Sequence, residues 1–180
     1  GPMTNFSAST TLSSDGAERL SGDFSLGLDP VAPERQVFSA DLGGDLTPLF
    51  APEYRDFFGT DLSLTANGYA LKDVVALENM ALTSKALSVQ GKVTLQDGWP
   101  SLIAVEGQLG HSDGRPVLLP VAGAGTRIGS ALFQLTHDEA ISPDWSLAAS
   151  LTDFQSPDLR LPETQLRGSG QIIDTRIEGA

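Results

Sequence analysis

Two histidines, His111 and His137, are the side chains in this sequence best suited to proton transfer or metal binding. Each stands beside a turn, with Asp113 and Asp138 close by in sequence. Neither pairing has a recognised ligand spacing, so no metal site is expected and both histidines read as solvated turn residues. Glu53 with Asp56, or Asp138 with Glu139, could supply the two carboxylates of a glycosidase. Acids are scattered along the whole chain, however, and nothing in their spacing sets a pair across a scissile bond. For a serine–histidine–acid triad, no Gly-x-Ser-x-Gly elbow and no strand–turn–helix to carry one are expected. Gly123-Ala124-Gly125-Thr126-Arg127-Ile128-Gly129 misses the dinucleotide-binding spacing and runs into an alternating strand, so it reads as a loop or hairpin. Cysteine is absent, which removes disulfides, thiolate metal sites and thiol nucleophiles together. Asn5-Phe6-Ser7 fits the N-glycosylation pattern, a motif short enough to arise by chance. The expectation is a chain that is not an enzyme and carries no cofactor.

Charge narrows the partners. The formal net charge is -12, and the eleven basic residues are dispersed with no run among them. Nucleic-acid binding and polybasic attachment to an anionic membrane both need clustered Lys and Arg, so neither is expected. No apolar run approaches the roughly 20 residues of a membrane-spanning helix. Gly1-Pro2-Met3 reads as the scar of a removed tag, leaving residues 4–180 as a single segment of a repetitive architecture.

The elements that must position any site are strands. Apolar residues alternate with Ser, Thr, Gln, Asp and Lys, which gives each strand one apolar and one polar face. Phe24 and Leu26 share a face, as do Leu62 and Leu64, and then Leu87, Val89, Val93 and Leu95. Ile103, Val105 and Leu109 repeat the pattern, followed by Phe133 and Leu135, and by Leu147 and Leu151 after Trp145. Ser14-Asp15-Gly16, Gln96-Asp97-Gly98, Ser112-Asp113-Gly114 and Ser142-Pro143-Asp144 supply turn chemistry between them. About twelve strands in an antiparallel meander are predicted. Val75–Leu95 and Leu159–Ile173 look alike, each as a leucine-spaced strand, a polar break and a glycine-bearing strand, which is suggestive of a repeat.

Between Asp45 and Gly59 the period changes. Leu46, Leu49, Phe50, Tyr54, Phe57 and Phe58 fall at helical spacing, Asp45 can cap a first turn, Pro52 can open a second, and Gly59 can stop it. One or two short helices are predicted, either covering an open edge of the sheet or plugging the end of a groove. Gly22, Gly91, Gly107 and Gly168 share the parity of their apolar neighbours. Glycine there weakens a flat strand and marks curvature or close approach. A long sheet bent into a trough lined by Leu, Val, Ile and Phe accounts for this, and so does a two-sheet sandwich with bulges.

Three stretches resemble the TamB/AsmA-like translocation and assembly proteins. The first is Gly44-Asp45-Leu46-Thr47-Pro48-Leu49-Phe50 running into Pro52-Glu53-Tyr54-Arg55-Asp56-Phe57-Phe58-Gly59. The second is Leu77-Glu78-Asn79-Met80-Ala81-Leu82-Thr83 followed by Leu87-Ser88-Val89-Gln90-Gly91-Lys92-Val93. The third is Asp97-Gly98-Trp99-Pro100 leading into Val105-Glu106-Gly107-Gln108-Leu109. The resemblance implies an all-β, long curved antiparallel sheet folded into a U-shaped hydrophobic groove, the β-taco, in a periplasmic protein anchored in the inner membrane of a Gram-negative bacterium. It implies transport of phospholipid between membranes, or outer-membrane protein assembly and secretion with a TamA-like barrel partner. The groove would hold acyl chains or unfolded outer-membrane strands. Its expected lining is Phe24, Leu26, Leu62, Leu64, Leu87, Val89, Val93, Leu95, Ile103, Val105, Leu109, Phe133, Leu135, Leu147 and Leu151. The alternatives are a secreted β-sandwich for adhesion or carbohydrate binding, with Trp99 and Trp145 as its aromatics, and a structural spacer.

Overall fold

The computed structural model describes residues 5–120, 125–173 and 176–179, the last four by their backbone. Alternation produces strands as expected: β1 (Asn5–Ser14), β2 (Ala17–Leu28), β3 (Gln36–Gly44), β4 (Leu62–Leu71), β5 (Val74–Thr83), β6 (Leu87–Gln96) and β7 (Trp99–Gly110) follow one another. Two short strands, β8 (Val117–Leu118) and β9 (Arg127–Ile128), precede β10 (Ser130–Asp138), β11 (Ser142–Ser156), β12 (Leu159–Ile173) and β13 (Arg176–Gly179). All pair antiparallel in a single open sheet whose main path is β1-β2-β3-β4-β5-β6-β7-β10-β11-β12-β13. With roughly 4.8 Å between neighbours, that path is on the order of 48 Å long.

The turns obey their chemistry. Asp15 and Gly16 have φ of 55° and 76°, and Asp97 and Gly98 have 53° and 82°, the paired left-handed residues that match the twist of a two-residue hairpin. Ser142-Pro143-Asp144 departs from expectation. The chain reverses at Glu139–Ile141, and Ser142 already opens β11, where the register with β10 shifts between His137 and Asp138. The supposed second repeat also dissolves: Leu159–Ile173 is one fifteen-residue strand, whereas Val75–Leu95 spans a hairpin.

Register converts the alternation into rows. Phe6, Leu26, Phe38, Gly68, Leu77, Val93, Ile103, His137 and Trp145 stand opposite one another across nine successive strands of the path. The next row runs Ala8, Phe24, Ala40, Ala66, Met80, Gly91, Val105, Leu135, Leu147 and Gly168. A one-residue bulge between Leu77 and Met80 keeps both on the same face.

Glycine makes this face continuous by letting bulk lie over it. The Phe133 ring covers Gly107, where an added Cβ would stand 2.3 Å from the ring. Gly68 lies under the Phe38 ring at 2.9 Å and also against backbone, where a Cβ would meet the Ala76 carbonyl oxygen at 1.9 Å. Gly91 is closed by backbone as well, since a Cβ there would meet the Ala104 carbonyl oxygen at 2.3 Å. Gly91→Ala is therefore expected to lower stability by about 1–3 kcal/mol, because two strands must part. Gly107→Ala should cost less, since a ring can swing aside. Thermal melts of the two variants check the order.

Candidate functional site

All fifteen residues expected to line a groove fall on one face of the sheet. Leu26, Val93 and Ile103 lie in the first row, and Phe24, Val105, Leu135 and Leu147 in the second. Leu64, Val89 and Phe133 occupy a third, which runs Leu42, Leu64, Leu82, Val89, Gly107, Phe133, Ala149 and Leu166. Leu87, Leu109 and Leu151 form a fourth through Ala131, with Leu62 at the corresponding level of β4, and Leu95 extends the other end beside Val75 and Pro100.

This face is poorly covered. The chain exposes 11211 Å², against about 8,300 Å² for a compact chain of its mass. Among the described residues only six apolar side chains are buried. The groove candidates are half-buried, flanked by their row neighbours, and Phe24 and Leu147 remain 39% and 36% exposed. Shallow depressions of about 710, 490 and 430 Å³ lie instead mostly over the polar face, among Gln90, Lys92, Glu106, Gln134 and Thr136. Side-chain ladders brace that face: Ser25 with Ser39 at 2.7 Å, Asn79 to Asn67 at 3.0 Å, and Gln90 to Glu106 at 2.7 Å.

One end of the apolar face is capped. The predicted helical segment forms 3-10 turns at Thr47–Leu49 and Pro52–Tyr54 and a short α1 at Arg55–Phe58. The Asp45 carboxylate accepts the Thr47 backbone N–H at 2.9 Å, Pro52 opens the second turn, and Gly59 (φ 67°) closes α1 by donating to the Arg55 carbonyl. The segment reaches beyond β4 to the β5–β6 turn, where Ala86 N–H donates to the Phe57 carbonyl at 3.1 Å and Lys85 N–H to that of Phe58 at 3.0 Å. Phe57 then packs with Ala86, Val117, Ile128 and Ala131, so the β8–β9 hairpin and the helix together close the fourth row. The cap covers strand ends; the edges of the sheet are β1 and β13.

Charge ties the cap down. Asp56 on α1 bonds to Lys85 Nζ and lies 3.1 Å from His111 Nε2, and Arg115, held to Asp113 at 2.6 Å, lies 3.7 Å from it. The hydrogen bond from Lys85 and the neighbouring positive groups hold the Asp56 carboxyl below its ordinary 3.8, against a smaller opposing effect of desolvation. A lowered carboxyl adds stability that is complete above its unfolded value and is lost as pH falls through the folded one. The contribution of Asp56 to cap anchoring should therefore be complete above about pH 5 and lost only below about pH 4. Asp29, Asp45, Asp113 and Asp144 are held low as well, so Asp56→Asn should flatten the acid limb of a melting-point profile without removing it.

Neither histidine is a solvated turn residue. The His111 side chain is 4% exposed and sits in the Asp56 clamp. His137 is 3% exposed on the apolar face, with Nδ1 3.0 Å from the Asp144 carbonyl oxygen. Asp113 pairs with Arg115 rather than with His111. Contrary to the expectation of no nucleophile elbow, Gly110-His111-Ser112-Asp113-Gly114 has the Gly-x-Ser-x-Gly spacing of one. It leaves β7 into a turn and then β8, with no helix behind it, and His111 Nε2 faces Asp56. No cluster of three potential metal ligands occurs among the described residues. The glycine-rich stretch from Gly123 lies partly outside the described residues, and within its described part, residues 125–129, Arg127–Ile128 is strand β9. No helix of the described residues is long and apolar enough to cross a membrane.

Trp145 stands on the apolar face opposite His137 and Gly170. The signal missed in the sequence is the Asp56–Lys85–His111–Arg115 clamp, whose members lie far apart in the chain and show no spacing that joins them. Compared with family models, curated proteins and solved structures, the chain matches none.

Proposed function

We propose that the uncovered apolar face is a binding surface for phospholipid acyl chains or for extended, alternating outer-membrane strands. On this reading the chain is a segment of a TamB-like protein that is anchored in the inner membrane and works in the periplasm with an outer-membrane barrel partner. The observation that carries the reading is the register: apolar residues from ten neighbouring strands align in rows on one face of a single sheet path, and outside the cap over the fourth row they are mostly no more than half-buried among the described residues. An acyl chain needs continuous apolar surface and no directed hydrogen bonds, and each methylene removed from water contributes about 0.8 kcal/mol. The rows supply the first, and the polar ladders are kept to the other face.

A sandwich adhesin needs a second sheet, and a single sheet path does not favour it. A spacer needs its apolar face sealed, which the exposed area does not favour either. The test is native mass spectrometry of the purified chain with extraction of whatever lipid travels with it. Phospholipid bound at defined stoichiometry is the expected result. A clean protein mass that takes up no added phospholipid and no alternating peptide overturns the proposal.

A further inference from the structure

We propose that the polar face of the sheet is a second binding surface, a trough across β4–β12 that takes a neutral, unbranched glycan. Two of the depressions on this face, of about 710 and 490 Å³, share Gln90, Glu106 and Gln134, so they form one trough running from Thr65 on β4 to Gln165 on β12. The trough crosses six strand spacings, about 29 Å, which suits a chain molecule lying across the strands. Charge narrows the occupant. The floor carries Glu78 and Glu106 against Lys92 and Arg167, a balance of zero in a chain of net charge -12. A polyanion finds no basic cluster there, and a polycation finds no acidic one.

The rest of the floor is amide and hydroxyl around one apolar knob. Leu132 is 60% exposed although it belongs to the polar face. It stands opposite Gln108 on β7 and Ser150 on β11, with Gln134 two residues along its own strand and Gln165 next beyond Ser150. Gln90 is committed to Glu106 at 2.7 Å, whereas the amides of Gln108, Gln134 and Gln165 make no hydrogen bond among the described residues. Each of these amides can donate and accept at once, as a sugar hydroxyl requires of its partner. The Leu132 side chain gives the apolar C–H face of a sugar ring a surface to lie on. An acyl chain would meet polar groups on every side of that single leucine. An extended peptide gains its affinity from main-chain pairing at a sheet edge, which the face of a sheet does not offer.

Calorimetric titration of the full chain with two neutral glycans, chitohexaose and cellohexaose, is expected to show saturable binding of at least one. Backbone amide NMR signals of β7, β10 and β11 around Leu132 should shift with it, and those around Phe57 in the cap should not. Leu132→Ser removes the apolar knob, and Gln134→Ala removes one unpaired amide. Both positions are exposed, so each variant should weaken binding about tenfold with an unchanged circular dichroism spectrum. If Leu132→Ser disturbs the fold, Gln134→Ala decides the matter alone. No binding of either glycan over the millimolar range overturns the proposal, and so does a parent-like affinity in the folded variants. Shifts confined to strands outside the trough overturn its place on the sheet. A sulfated hexasaccharide that binds more tightly than both probes overturns the neutral occupant.

Discussion

Val89→Arg and Val105→Arg should each weaken phospholipid uptake by roughly thirtyfold while leaving the fold intact. Val89 stands between Leu82 and Gly107 in the third row, and Val105 between Gly91 and Leu135 in the second, so each sits mid-face where an acyl chain crossing the rows must pass. Both are half-buried by lateral neighbours, with water above them. A guanidinium on a long stem can stay hydrated there in the unliganded protein. A bound chain would have to desolvate that charge or lift away from it. Lifting two or three methylenes costs about 2 kcal/mol, roughly thirtyfold in affinity. Native mass spectra of the two variants should show lipid-free protein, with melting points close to the parent. If both variants unfold, these valines belong to a closed core and the open-face proposal loses its basis.

Much of this arrangement is legible in the sequence because strand periodicity is local. Alternation at Leu87–Leu95 or Ile103–Leu109 assigns each residue to a face without knowledge of the neighbouring strand, and antiparallel hairpins then bring like faces together. The helical segment is legible for the same reason: Asp45, Pro52 and Gly59 act on backbone within a few residues of themselves. Other features depend on contacts that no local period encodes. His111 looks solvated beside its turn, and its burial depends on Asp56, which a helix more than fifty positions earlier carries onto the same strand ends. Val117 and Ile128 come from two-residue strands too short to alternate, yet they complete the cap. Glycines on the apolar face read as marks of curvature or of close approach, and close approach is what Gly107 and Gly68 mark, where the Phe133 and Phe38 rings lie across strands of a single open sheet consistent with a curved one.

Phe57→Ala should detach the cap without unfolding the sheet. Phe57 is 8% exposed and packs with Ala86, Val117, Ile128 and Ala131, so it links the helix, the β5–β6 turn and the β8–β9 hairpin in one cluster. Removing a buried phenyl ring costs about 3 kcal/mol or more. In a sheet whose strands mostly meet only their neighbours, that loss should stay where it arises and appear as local opening. Hydrogen exchange reads it directly, because the Lys85 and Ala86 amides donate to the Phe58 and Phe57 carbonyls. Their exchange should accelerate roughly a hundredfold, the equivalent of about 3 kcal/mol. Amides of residues 24–28 in β2 and 36–40 in β3, at the strand ends away from the Gly44–Asp45 junction, should be unaffected. Phe58→Ala removes a half-buried ring stacked on Phe50 at 3.7 Å and should have the smaller effect at the same amides. Equal acceleration across β2 and β3 would mean that the sheet unfolds as one unit and that the cap is part of its core. Local acceleration would identify a separable lid over one end of the apolar face, whose removal should leave lipid uptake by the remaining rows in place.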